Sequence, residues 1–335
     1  MRFKIVFILV LVFQNLTAQV GGETLYPFLN IATSPKQVAL GGVTLTSTND
    51  VSQLLWNPSM VANELDGDLA VNYTNYIADI NVGSLVYAKS INPKYGMAFL
   101  GVQYLDYGDF NRTEASGPEI LSTFTSRDLA FSLGYGYRLD LISIGAAVKY
   151  VSSKIESYTS SALVFDLGIT FYDPNSSFIA SLSFRNSGNQ LSPYLDKKED
   201  IQHNIIFATE YSLEHVPLRF YVALDELNNW QLSEANPSRE KVNLNGESTP
   251  EQISPIENAL RHLSIGAELW PEKMFSLRIG YNHRRAEEYQ LQEVRTGAGL
   301  SYGFGLNTKW VKIDYAFAKF QEGAKYSTFG LTLHL

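Results

Sequence analysis

The sequence predicts an all-β chain, a transmembrane outer-membrane β-barrel of about 14 antiparallel strands with an N-terminal plug segment, and three observations carry that prediction. From Asp68 to Leu335 apolar and polar residues alternate with a period of two nearly everywhere. Each alternating stretch is about ten residues long, the length that a tilted strand needs to cross a bilayer. The connections are short on one side of the strands and mostly long on the other.

The candidate strands are 68–77, 80–90, 95–106, 126–138, 141–153, 161–172, 178–187, 201–212, 218–227, 260–270, 274–284, 297–306, 310–320 and 326–335. One face of each is greasy. Leu129, Phe131, Leu133 and Tyr135 form such a face, as do Leu163, Phe165, Leu167, Ile169 and Phe171, then Phe275, Leu277, Ile279 and Tyr281. In the last strand Phe329, Leu331, Leu333 and Leu335 lie on one side and Thr328 to His334 on the other. A terminal strand of this kind needs a partner, and pairing with the first strand leaves no edge exposed.

Every other connection is short: Asn92-Pro93-Lys94, Leu139-Asp140, Asp173-Pro174-Asn175, Glu214 to Pro217, Pro271-Glu272-Lys273 and Asn307-Thr308-Lys309. The long connections, 107–125, 188–200, 228–259 and 285–296, fall on the other side. A soluble sandwich has no reason to collect its long loops at one end. Outer-membrane barrels do, with short periplasmic turns and long extracellular loops, and an even strand number puts both termini in the periplasm.

Composition and the N-terminus agree. Aromatic residues make up 13%, with 20 Tyr and 19 Phe, which suits strands and interfacial aromatic girdles. Mean hydropathy is slightly negative, which excludes a helical membrane bundle. Residues 1–18 read as a signal peptide: Arg2 and Lys4 form the basic region, Ile5 to Phe13 the apolar one, and cleavage follows Ala18. The sequence contains no cysteine, so neither a lipidated N-terminal Cys nor a disulfide is available. Without Arg2 and Lys4, 24 basic residues face 34 acidic ones, a balance that argues against nucleic acid. The domains expected are 1–18 signal peptide, 19–66 plug and 67–335 barrel.

Residues 19–66 do not alternate. They carry Gly21-Gly22 and Gly41-Gly42, a short helix around Pro35 to Leu40, and a turn signal at Trp56-Asn57-Pro58-Ser59-Met60. The inward faces of the strands mix small and charged residues. Lys149, Arg185, Arg219, Arg278 and Lys312 point inward, and so do Asp166, Glu210, Asp225, Glu268 and Asp314. An ion-selective pore carries a lining biased to one sign; a balanced lining pairs internally or with a plug. Inward glycines at 145, 168, 266, 280, 303 and 305 leave room for something to pack against the wall.

Candidate chemistry is sparse. His203, His215, His262, His283 and His334 are scattered, no metal-spaced cluster stands out, and no Ser/His/acid pattern singles itself out. No catalytic residue, metal or cofactor is therefore expected. The long loop 228–259 holds Trp230, Asn236-Pro237 and Asn245-Gly246, and is the candidate docking surface for a partner. Tyr107 to Arg112 offers an aromatic start that could fold over the barrel mouth.

Gly21 to Asn30, Ala39-Leu40-Gly41-Gly42 and Trp56-Asn57-Pro58, followed by Tyr107-Gly108-Asp109-Phe110 and Ser126-Arg127-Asp128-Leu129-Ala130 to Tyr137-Arg138-Leu139, resemble the PorQ family of the type IX secretion system. That family is related to PorV within the wider FadL-like group of fourteen-stranded barrels with an N-terminal plug. Two residues depart from the group: the chain ends in Leu335 where an aromatic is common, and Ser59 stands where a small Ala is common. The resemblance implies a non-enzymatic outer-membrane anchor for the surface attachment complex. Its partners would be a PorZ-like surface protein, a PorU-like sortase and a PorV-like barrel. The alternative is a FadL-like transporter of long-chain fatty acids or other hydrophobic compounds, with Leu25, Phe28, Leu29, Leu54, Leu55 and Trp56 lining a pocket. A third reading, an outer-membrane hydrolase, has no site in the sequence to support it.

Overall fold

The structure is a computed structural model that describes residues 25–77, 80–92, 96–113, 120–173, 175, 177–232, 241–242, 248–249, 253–289, 297–321 and 324–335. The expected signal peptide, with Gly21 to Thr24, lies outside the described residues. Fourteen strands close into one barrel: β1 (Asp68–Asn75), β2 (Asn81–Asn92), β3 (Gly96–Thr113), β4 (Ile120–Leu139), β5 (Ile142–Ile155), β6 (Tyr158–Asp173), β7 (Phe178–Ser192), β8 (Asn204–Ser212), β9 (Leu218–Leu224), β12 (Leu263–Leu269), β13 (Phe275–Asn282), β14 (Leu300–Asn307), β15 (Val311–Gln321) and β16 (Ala324–His334). The remaining strands, β10 (Lys241–Val242) and β11 (Ser248–Thr249), form a separate ribbon between β9 and β12.

Every barrel strand is antiparallel to its neighbours, and β1 pairs with β16 from Asp68↔His334 to Asn75↔Ser327. At that seam Leu335 N donates to Gly67 O (3.1 Å), and His334 Nδ1 lies 2.6 Å from Asp68 Oδ1. Gly67 sits at φ +82°, and a Cβ there would stand 2.3 Å from Leu335 O, so the closure needs glycine. Alternation sorts the faces as the period of two requires. Phe131, Leu133, Phe165, Leu167, Ile279 and Phe329 are exposed on the outside, while their chain neighbours Ser132, Asp166, Arg278 and Thr328 are buried. Contiguous exposed apolar surface on this scale belongs against lipid.

Several elements differ from the sequence reading. The stretches 107–113 and 120–125 are not loop over the mouth, because β3 and β4 run on as one ladder to Thr113↔Ile120, with Phe110 stacked on Phe124 at 5.3 Å; 114–119 lie outside the described residues. The connection after β5 is a tight turn, with Glu156 at φ 56°, because alternation resumes at Tyr158. β12 starts later than expected because Ser254 and Pro255 begin a helix, α2 (Pro255–Leu260), in which Ser254 Oγ accepts from Glu257 N at 3.1 Å. β13 ends at Asn282, whose side chain caps α3 (His283–Glu288) by accepting from Arg285 N at 2.8 Å.

Residues 25–67 lie inside the barrel. They form short 3₁₀ turns at Pro27–Asn30, Val51–Leu55 and Asn63–Leu65, and a helix, α1 (Pro35–Ala39), capped by Ser34 with Pro35 in the first turn. Phe28, Val38, Leu45, Val51, Leu54 and Leu65 are fully buried. The wall receives them on glycines. Gly136, Gly145 and Gly168 stand side by side on β4, β5 and β6. A Cβ on Gly145 would lie 2.1 Å from Pro58 O, and one on Gly168 2.1 Å from Asn57 Oδ1. Across the barrel a Cβ on Gly280 would lie 2.3 Å from Gly41 N, where the chain leaves α1.

Gly145→Ala and Gly168→Ala are each expected to destabilise the barrel by about 1–3 kcal/mol through overpacking. Gly83→Ala, whose Cβ would have only Asn72 O at 3.8 Å, should change it by less than about 0.5 kcal/mol. The urea midpoint of the heat-modifiable band in detergent measures the difference.

Candidate functional site

The interface between residues 25–67 and the wall is organised by three polar clusters. In the first, Trp56-Asn57-Pro58 spans β6 and β7. Asn57 Nδ2 donates to Ser181 Oγ (2.5 Å) and Thr170 Oγ1 (3.3 Å), and Asn57 Oδ1 accepts from Ser59 N (3.1 Å) and Ser59 Oγ (2.7 Å). Ser183 Oγ donates to Trp56 O at 2.8 Å, and the Trp56 ring lies 3.7 Å beneath the Arg185 guanidinium. The Ser59 side chain is therefore used: its hydroxyl also meets Thr170 Oγ1 at 2.7 Å.

The second cluster is ionic. Glu268 on β12 is bridged by Arg278 Nε (2.8 Å) and by Lys36 Nζ from α1 (3.0 Å), and accepts from Tyr221 OH (2.7 Å). Arg278 Nη1 continues to Asp314 (2.5 Å), which Lys312 approaches at 3.6 Å. Lys312 Nζ and Lys36 Nζ both reach Asn49 at 2.8 Å. Arg219 pairs with Glu210 (3.1 Å) and with Glu272 of the adjacent turn (2.5 Å). Burial pushes the Lys36 ammonium below the ordinary lysine range, and Glu268 works against that fall.

The third cluster is split. Lys149 bridges Asp166 at 2.5 Å, while Arg185 turns to the segment and donates to Leu29 O (2.9 Å) and Asn30 Oδ1 (3.3 Å). Asp225 lies one residue past the end of β9 and not on it; there Arg284 Nη2 of α3 reaches it at 2.9 Å. Burial works against the Arg284 charge, yet Asp225 and Glu226 hold its guanidinium above the ordinary range.

The ten charges named from the sequence are thus all buried, but not in one network. The sequence reading missed Lys36. Its signal was available: a single lysine in a short helical stretch that also carries Val38, Ala39 and Leu40, a charge that needs a buried acid. Of the docking-loop residues, Trp230 is exposed and stacks on His262 at 5.1 Å, and Asn236, Pro237, Asn245 and Gly246 lie outside the described residues. Of the proposed pocket residues, Phe28, Leu29, Leu54 and Leu55 are core; Leu25 and Trp56 each border a cavity.

The histidines stay scattered in space, but His283 meets two carboxylates. The fold brings Glu257, His283 and Glu287 together with ligand atoms all within 4.8 Å, and these are the side chains among the described residues that could hold a metal ion. His283 and Glu287 are one helical turn apart on α3, a spacing the strand reading of 274–284 concealed. Glu257 is already shared by His283 Nε2 (3.1 Å) and Arg261 Nε (3.6 Å).

Solved structures show the same architecture. The toluene transporter TbuX of Ralstonia pickettii superposes with a TM-score of 0.54 at 11% identity, covering 91% of this chain and 98% of that one. The toluene transporter TodX of Pseudomonas putida gives 0.52 at 12% identity, covering 94% and 98%. At such identities the likeness shows the fold. No curated protein sequence matches. The family model of the type IX secretion system protein PorV matches residues 16–190, just over half of the chain. The chain belongs to the PorV family of the type IX secretion system, as an outer-membrane barrel of fourteen strands.

Proposed function

We propose that this barrel is a PorQ-like, non-enzymatic anchor of the cell-surface attachment complex. It would hold a PorZ-like surface protein through its extracellular loops, beside a PorU-like sortase and a PorV-like barrel. The observation that carries the reading is the filled lumen. Residues 25–67 are tied to the wall by a buried ion pair, Lys36–Glu268 at 3.0 Å, and by buried side-chain hydrogen bonds centred on Asn57–Ser181 at 2.5 Å. A wall occupied in this way supports a barrel whose working surface is its outer rim. The plug is residues 19–66, the barrel 67–335, and the docking surface the loop 228–259 around Trp230. The alternative, a FadL-like carrier of hydrophobic compounds, has the shared architecture with TbuX and TodX in its favour.

The two readings separate in a pull-down of tagged protein from outer membranes solubilised in a mild detergent. The anchor reading expects PorZ-like and sortase-like proteins by mass spectrometry. Co-purified fatty acids with no such partner would overturn it. Deleting residues 233–252 behind a short Gly-Ser link should release the surface partner into the medium while the barrel stays heat-modifiable; retained partner would move the docking surface to another loop.

Closure of the lumen has its own test in planar bilayers. The intact protein is expected to be electrically silent. Glu268→Gln should produce openings and cost about 3–5 kcal/mol, because Lys36 and Arg278 lose a shared, buried counter-charge. Lys36→Met should cost less, because Glu268 keeps Arg278 at 2.8 Å. A Lys36→Met barrel as silent and as stable as the unaltered protein would show that Lys36 does not secure the segment.

A further inference from the structure

A second recess lies apart from these clusters, near the extracellular end of β3, β4 and β5. It is a cavity of about 490 Å³, within the usual range for small-ligand sites. Its walls are aromatic: Tyr26 from the N-terminal segment, Tyr107 and Phe110 from β3, Phe124 from β4, and Tyr194 from the connection after β7. Phe110 and Phe124 stack at 5.3 Å, and Phe110 is 40% exposed at the rim.

One charged side chain lines this cavity, Asp128 of β4, and it is 3% exposed. Its carboxylate is held only by neutral donors. Tyr107 OH donates to Oδ2 at 2.8 Å, and Ser153 Oγ donates to Oδ1. Tyr194 OH in turn donates to Ser153 Oγ. The neighbouring Arg127 faces the other way and meets Asp106 at 3.6 Å. Among the described residues no lysine, arginine or histidine pairs with Asp128, unlike Asp166, Asp225 and Asp314. A buried carboxylate without a cation is costly unless one is supplied.

The backbone is arranged to complete the aromatic wall. Tyr26 adopts φ 57°, ψ 52°, a left-handed conformation uncommon for a bulky residue. Its hydroxyl meets Ser160 Oγ at 2.5 Å, and Gln190 Nε2 donates to the same Ser160 Oγ at 2.8 Å. Strain held in place by surrounding bonds is a mark of a built site.

We infer that this cavity binds an organic cation: an ammonium group on an apolar body, seated against Asp128 and faced by the tyrosine and phenylalanine rings. The carboxylate supplies the counter-charge and the ring faces add cation–π attraction. The group could arrive on a free aromatic amine or on a lysine side chain of a protein, since both present the same chemistry.

The test uses the full barrel in a non-ionic maltoside detergent at pH 7, titrated calorimetrically with phenethylamine and with its neutral analogue 2-phenylethanol. The amine is expected to bind saturably, one per chain, and roughly tenfold tighter than the alcohol. Asp128→Asn should bring the amine down to the level of the alcohol and leave the alcohol unchanged. Phe110→Leu, at the rim and away from the carboxylate, should weaken the amine severalfold in a barrel that remains heat-modifiable. A parallel titration with Nα-acetyl-lysine methylamide separates the sources: tighter binding than phenethylamine points to a protein side chain, weaker binding to a free aromatic amine. Equal binding of amine and alcohol, or no saturable binding of either cation, overturns the assignment.

Discussion

The structure depends on one constraint: a strand in hydrocarbon must find all its backbone partners within the protein. A sheet satisfies this only by closing. The closure here joins the first strand to the last, from Asp68↔His334 to Asn75↔Ser327. Fourteen strands then enclose a lumen wider than their own side chains fill. The same requirement that removes the edges therefore creates an interior that something else must occupy.

Residues 25–67 occupy it under two opposed demands. Backbone must approach backbone closely, which the wall permits at Gly145, Gly168 and Gly280, where a Cβ would fall within 2.3 Å of the segment. The wall also carries charges that cannot be left alone out of water. Most are paired strand to strand, as Arg278 with Glu268 and Asp314, and Lys36 adds the segment to that network. Steric fit and charge pairing thus select the same seated position. A segment shifted by one residue would lose both.

Much of the barrel was legible in the sequence because its signal is local and repeated. A period of two sorts lipid-facing from lumen-facing residues in every strand, and the short periplasmic turns punctuate it. The extracellular ends were harder. Alternation continues past Tyr107 and resumes at Ile120, yet Gly108, Asp109 and Asn111 read as loop residues, so the projecting β3–β4 ladder was mistaken for a lid. Asn282 likewise reads as part of a strand, although its side chain caps a helix. The interior was legible in composition but not in pairing. Five charges of each sign point to mutual neutralisation; that Arg185 would leave the acids for Trp56 and Leu29 O depends on a segment far away in sequence.

The lumen is not filled evenly along its axis. The Asn57 seat and the Lys36–Glu268–Arg278–Asp314 network lie toward the short turns, near Asp140, Asp173 and Glu272. Toward the long loops the packing opens. A cavity of about 200 Å³ there is bordered by Tyr76, Arg284, Arg285 and Tyr289, and the aromatic cavity around Asp128 opens on the same side. Close packing at one end and recesses at the other suit different tasks. The periplasmic half is built for cohesion, with every cluster tied to the wall on more than one strand. The outward half spends polar and aromatic side chains on concave surface that the chain itself does not fill, and concave surface of that kind is where a protein meets something else.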